Sequence, residues 1–146
     1  KGALSGVPNS MPSLLKALRI QDKARAIGFD WDRPEQVWEK VQEEMNEFQQ
    51  EVASSRDASR SATGDTEKKK YQEKLEGEFG DVLFSLINYA RYLKINPEDA
   101  LEKTNKKFMF RFNYMEQKIK AQGKTLADSS LDEMDVFWNE AKKLEK

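Results

Sequence analysis

The chain has 146 residues, enough for one domain with a real core, and its 25 basic and 26 acidic side chains leave a net charge of −1 that offers nucleic acid nothing to hold. It contains no histidine and no cysteine. That excludes Ser-His-Asp and Cys-His catalysis, disulfide frameworks, histidine-bearing zinc sites and the Glu-x-x-His di-iron bundle. Any metal must therefore rest on oxygen ligands, which puts Mg2+ first and Mn2+ behind it.

Residues 1–11 carry Gly2, Gly6, Pro8 and Asn9 without periodicity and read as a linker or N-terminal arm, leaving 12–146 as a single domain. No stretch reads as a signal peptide or is apolar for long enough to span a membrane, so a cytoplasmic location is expected. The first helix should run from Pro12 or Ser13 to Ile27, with Ser10 as cap and Gly28 just past its end. In the link that follows, Phe29 and Trp31 should plug the core or, as the sharper reading, stack on a base.

The second helix should open with a capping box, Asp32 to Glu35, and end near Ala53. Its apolar stripe is Val37, Trp38, Val41, Met45, Phe48 and Val52. At roughly 100° per residue, Glu44 borders that stripe, Glu47 lies further round the same flank and Glu43 points nearly opposite. Ser54–Asp65 is rich in Ser, Ala, Arg and Asp and reads as a mobile loop. The third helix, Thr66 to Leu93, is apolar nearly all round its second half, yet Glu78, Asp81, Ser85, Asn88 and Tyr92 share one line. A polar strip on a buried helix needs internal partners, and the extra flank carrying Leu83 and Phe84 suggests a second chain, making a homodimer.

The fourth helix is capped by Asn96, opened by Pro97 and ended by Gly123. Leu101, Phe108, Phe112, Met115 and Ile119 should form its core stripe, bordered by a basic row of Lys107, Arg111 and Lys118. A short last helix starts at a Ser130-x-x-Glu133 capping box and carries Met134, Phe137 and Trp138. Nothing alternates like a strand, and no P-loop or dinucleotide motif occurs. The expected class is all-α.

Two acidic pairs at i, i+3 spacing, Glu44/Glu47 and Glu78/Asp81, each present both side chains on one helix face. Face to face they would crowd four carboxylates into one volume, which a hard divalent cation relieves. With a basic row nearby, the task they suit is binding and hydrolysing a metal–polyphosphate.

The pattern Glu43-Glu44-x-x-Glu47 followed by Glu78-x-x-Asp81 resembles the MazG-type nucleoside triphosphate pyrophosphohydrolases of the all-α NTP-pyrophosphatase superfamily. The resemblance extends to Gly28-Phe29-Asp30-Trp31, to the run from Glu78 to Phe84, to Asn88 with Ala90-Arg91, to Asn105 through Phe112, and to Glu133-Met134-Asp135 with Trp138. The arm from Gly6 to Leu15 is similar to the linker entering the C-terminal domain of two-domain MazG proteins. Gly77, where many relatives are acidic, and the long stretch 54–65 depart from the pattern.

The resemblance implies a dimeric four-helix-bundle-like fold with a short extra C-terminal helix, and Mg2+-dependent cleavage of nucleoside triphosphates to monophosphate and pyrophosphate. It makes Glu44, Glu47, Glu78 and Asp81 the catalytic metal ligands and places Lys107 and Arg111 on the triphosphate. Asn88, Trp31 and Trp138 would meet the substrate too. A dUTP-, dCTP- or phosphoribosyl-ATP-specific enzyme of the same superfamily, and a non-catalytic helical interaction module, stay open as alternatives.

Overall fold

A computed structural model describes residues 2–31, 33–61 and 64–145. Among these residues all regular structure is helical: α1 (Ser13–Ala26), α2 (Pro34–Ser61), α3 (Asp65–Tyr92), α4 (Pro97–Ala121), a 3-10 turn (Leu126–Asp128) and α5 (Leu131–Leu144). None of the described helices is long and apolar enough to cross a membrane. The chain forms two compact units, Lys1–Pro97 and Glu98–Lys146.

In the first unit, α1 starts directly after Pro12, which holds φ at −53°, and no side chain caps it, so Ser10 does not play the expected part. Its C-terminus closes as the sequence foretells. Gly28 sits at φ 93°, its N–H donates to the Arg25 carbonyl at 2.9 Å, and the Phe29 N–H donates to Ala24 at 3.0 Å. The same closure ends α3 at Lys94 (φ 59°), where a side chain tolerates the left-handed backbone.

Helix α2 corrects the reading of Ser54–Asp65 as a loop. It continues to Ser61, and α3 begins at Asp65 behind Gly64 as N-cap. Ala and Arg favour a helix, and the anchoring of Ser55 offsets the weaker preference of Ser and Asp. Ser55 is buried, its hydroxyl donates to Glu51 at 3.0 Å, and Glu51 is held across the gap by Lys74 of α3 at 3.2 Å. At the other end Asp32, the proposed half of a capping box, lies outside the described residues, and the Arg33 N–H donates to the Gln36 side chain at 3.1 Å.

Trp38 meets Tyr89 with ring centroids 5.2 Å apart, and Phe48 meets Phe79 at 5.4 Å. Chain positions rising along α2 thus fall along α3, and the two helices are antiparallel. Val37 and Val41 of α2 are fully buried, and Val82 and Ile87 of α3 are buried as well. Helix α1 is tied to α3 by Gln21, whose amide N–H donates to the Phe84 carbonyl at 3.0 Å.

In the second unit, Met115 and Ile119 of α4 and Ala141 of α5 are buried. Phe108 stacks on Phe112 and meets Trp138 edge-on, with centroids 6.1 and 5.2 Å apart. Leu101 and Phe108 nevertheless stay exposed, so the expected core stripe of α4 is buried only in its C-terminal half. The Ser130 hydroxyl accepts from the Glu133 N–H at 3.2 Å, as the capping box requires. Gly123 (φ 78°) closes α4 as expected.

Candidate active site

Antiparallel pairing of α2 and α3 sets the stretch holding Glu44 and Glu47 across from Glu78. One carboxylate oxygen from each of the three lies within 4.8 Å of the others. Glu44 is buried (8% exposed), Glu78 is half-buried and Glu47 is exposed. The Lys40 ammonium sits 3.1 Å from one Glu44 oxygen and 3.6 Å from Glu43. The second oxygens of Glu44 and Glu78 are buried with no hydrogen-bond partner. Buried carboxylate oxygens without donors are strongly unfavourable, and the relief that an all-oxygen set accepts is a hard cation. The charge of Glu44, then burial, then Glu43 and Glu78 push the Glu47 carboxyl above its ordinary range, with Lys40 pulling the other way. These residues fit a divalent metal on their own chemistry.

Asp81, the fourth predicted ligand, is exposed and stands outside the convergent three, but it lines the adjoining cavity together with Glu44 and Lys40. That cavity holds about 560 Å3. Its aromatic lining is Phe29, Trp31 and Phe84, with Leu4 contributed by the N-terminal arm. Phe29 is 81% exposed and Trp31 44%, so neither is a core plug. Asn88 lines the same cavity, its side-chain oxygen accepting from Arg91 at 2.7 and 3.2 Å.

The turn carrying Phe29 and Trp31 is clamped to the end of α3. Asp30 accepts from the Trp31 N–H (2.9 Å), from Arg91 (3.2 Å) and from the Tyr92 hydroxyl, and it pairs with Arg25 at 3.2 Å. Burial pushes the Asp30 carboxyl up, but the bonds from Tyr92, Trp31 and Arg91 together outweigh it and hold the carboxyl below its ordinary 3.8. A depressed carboxyl stabilises the fold above its unfolded value and loses that contribution as pH falls through its folded value. Asp30→Ala should therefore destabilise the protein by about 2 kcal/mol at neutral pH. The gap between variant and wild type in urea unfolding should close below the ordinary aspartate range. A gap that is the same at pH 7 and in strong acid would show that the clamp carries no charge-dependent stability.

In the second unit Arg111 is paired with Glu145. Its Nε and Nη2 donate to both oxygens of Glu145 at 2.7 to 3.1 Å, and its guanidinium lies 5.9 Å over the Trp138 ring. Glu145 is held low, chiefly by that bond, with Lys107 and Lys142 adding to it. Lys107 rims an open groove with Lys103, Lys106 and Arg111. Lys118 instead lies 5.4 Å over the Tyr114 ring.

Sequence reasoning missed Lys40, Gln21, Arg91 and Glu145. Lys40 was findable, since it sits one turn before Glu44 on the same face. Gln21 gave no local signal, because its partner lies 63 positions away; Arg91 has Asn88 one turn before it, but its bond to Asp30 spans 61 positions.

Residues 32–115 match the MazG nucleotide pyrophosphohydrolase domain, with Glu44, Glu47, Glu78 and Asp81 all inside the matched stretch. The chain belongs to the MazG family. Over 132 residues this MazG domain is 38% identical to the nucleoside triphosphate pyrophosphohydrolase/pyrophosphatase MazG of Thermotoga maritima, covering 90% of the chain and 45% of that protein. Over 143 residues it is 37% identical to a nucleoside triphosphate pyrophosphohydrolase of Escherichia coli K12, covering 98% of the chain and 49% of that protein. An uncharacterized Bacillus subtilis protein, YabN, is 53% identical over 76 residues, which are 52% of the chain and 16% of YabN. The chain thus spans about half the length of the Thermotoga and E. coli relatives.

Proposed function

We propose that this MazG domain hydrolyses nucleoside triphosphates between the α- and β-phosphates. Water adds to the α-phosphorus, the bond to the bridging oxygen breaks, and pyrophosphate leaves a nucleoside monophosphate. The observation that carries the reading is the convergence of Glu44, Glu47 and Glu78, two of them with orphaned buried oxygens, beside a cavity wide enough for a nucleoside. The names of the Thermotoga and E. coli relatives support it. Glu44, Glu47 and Glu78, with Asp81 beside them, would hold Mg2+, or Mn2+ in its place. A divalent cation there supplies positive charge against phosphate oxygens and acidifies water.

The chain's own side chains do the rest. Lys40 balances Glu44 and is free to swing onto a phosphate oxygen once that carboxylate has another partner. Trp31 offers an aromatic face and Asn88 holds Arg91 in the cavity wall. The resemblance adds Lys107 and Arg111 as phosphate contacts and Trp138 as a nucleoside contact; the basic groove on α4 supports the first two.

Incubation with a panel of nucleoside triphosphates and Mg2+ tests the reading through its products. Pyrophosphate plus monophosphate is the expected pair. Orthophosphate plus diphosphate would place the cleavage elsewhere, and no release from any nucleotide would leave a binding module.

We further infer a homodimer. Phe79, Leu83 and Leu86 on α3 and Met45 on α2 are all exposed in the single chain, apolar side chains that a second copy would cover. Leu83→Glu should turn a dimer into a monomer in sedimentation velocity. A wild-type protein that sediments as a monomer at micromolar concentration removes the interface.

A further inference from the structure

Gln21 is 6% exposed, and its amide orientation is not free. Nε2 donates to the Phe84 main-chain carbonyl at 3.0 Å, a group that can only accept. Oε1 is therefore the remaining end, and it is buried without a partner. Arg91 has a side chain 9% exposed. Its Nε and Nη2 are occupied by Asn88 and Asp30, while Nη1 is buried without a partner. Both residues line the cavity that Glu44 also lines. The residues lining this cavity thus include one with an unpaired acceptor and one with an unpaired, permanently charged donor, alongside Phe29, Trp31 and Phe84. A folded protein rarely leaves such groups unsatisfied, and a ligand or an ordered water completes them.

We propose that Gln21 and Arg91 read the nucleobase edge, Gln21 Oε1 accepting from an N–H of the base and Arg91 Nη1 donating to a ring nitrogen or carbonyl. This rests on the nucleotide reading above and deepens it. Adenine, guanine, cytosine and uracil all carry an N–H beside an acceptor, so all four satisfy the pair, and the aromatic walls accept any flat ring. The site selects for the presence of an edge N–H rather than for one base. Bases stripped of it leave Gln21 Oε1 buried and unpaired, the arrangement that discriminates most strongly.

The test is binding without turnover. Calorimetry on the full chain compares adenosine monophosphate with purine riboside monophosphate, and cytidine monophosphate with 2-pyrimidinone riboside monophosphate. In each pair only the second lacks the edge N–H. The wild type should bind the stripped member at least about tenfold more weakly. Gln21→Met, checked for folding by its thermal melt, should bring both pairs within about twofold, by weakening the natural member rather than strengthening the other. Equal affinity within the wild-type pairs overturns the assignment with no variant needed, and so does a folded Gln21→Met that keeps the ratio. The hydrolase reading fails separately, through absent pyrophosphate, while discrimination in binding supports the base assignment either way.

Discussion

Glu44→Gln should lower turnover of nucleoside triphosphates by about 10²–10³-fold or more while leaving the protein folded, the scale on which losing one fixed electrostatic group in a closed site acts. Glu44 is the most buried of the three convergent carboxylates and the only one of them that both faces Lys40 and lines the cavity. Its replacement by a neutral isostere would remove a proposed metal ligand without removing volume. It also removes one of several like charges, so the metal-free variant should melt at or slightly above the metal-free wild type. Adding Mg2+ should separate the two proteins. At 100 times the dissociation constant a ligand stabilises the native state by about 2.7 kcal/mol, a gain the wild type should show and the variant should lack. Near-native kcat/KM in Glu44→Gln, or an unchanged response to Mg2+, would take Glu44 out of the metal site.

Arg111→Ala should lower kcat/KM by roughly 10- to 100-fold, the equivalent of about 1.5–3 kcal/mol for a lost charge-assisted contact to phosphate. Arg111→Lys should recover only part of it, since an ammonium lacks the planar fork. The Glu145 pairing makes a second, opposite expectation. Both oxygens of Glu145 occupy the fork that phosphate would use. Glu145→Gln should therefore lower KM several-fold, most at low ionic strength. The pair is partly exposed on both sides, so stability should barely move in either variant. Lys118→Ala, whose ammonium is committed to the Tyr114 ring, should change neither quantity. Steady-state kinetics on the four variants settles it: effects within twofold from Arg111→Ala would make the basic row of α4 a solvated face.

The sequence spoke most clearly wherever the cause was local. Gly28 and Gly123 announced helix ends because only a residue without Cβ accepts that backbone freely, and Ser130 with Glu133 announced a start through a bond spanning three residues. The i, i+3 acids were legible because helical geometry alone puts them together, and three of the four do converge. Ser54–Asp65 misled because its composition speaks for a loop, whereas its conformation answers to Lys74 and the buried Ser55. Phe29 and Trp31 misled for the opposite reason. Aromatic residues next to a turn usually bury themselves, but the Asp30–Arg91–Tyr92 clamp holds this turn against a cavity. Gln21 shows the limit of reading from sequence. A glutamine in the middle of an amphipathic helix carries no mark until a carbonyl 63 positions away fixes its orientation.

Helices α2 and α3 run well past the carboxylates, and their outer ends have few ties. Beyond Ser55 and Tyr71 the described side chains are exposed except for a half-buried Ala58, while Glu47 lies eight residues short of Ser55, about 12 Å along the axis. The hairpin can therefore be shortened or extended from its far end without disturbing the acids, provided the change comes in matched lengths on both helices. Added lengths of seven residues per helix make nearly two whole turns and keep every existing side chain on its own face, whereas a cut must stop short of Ser55 and Tyr71. Length variation among descendants of such a chain should accumulate at that end, which is also where a label or an inserted domain could be carried without silencing the site.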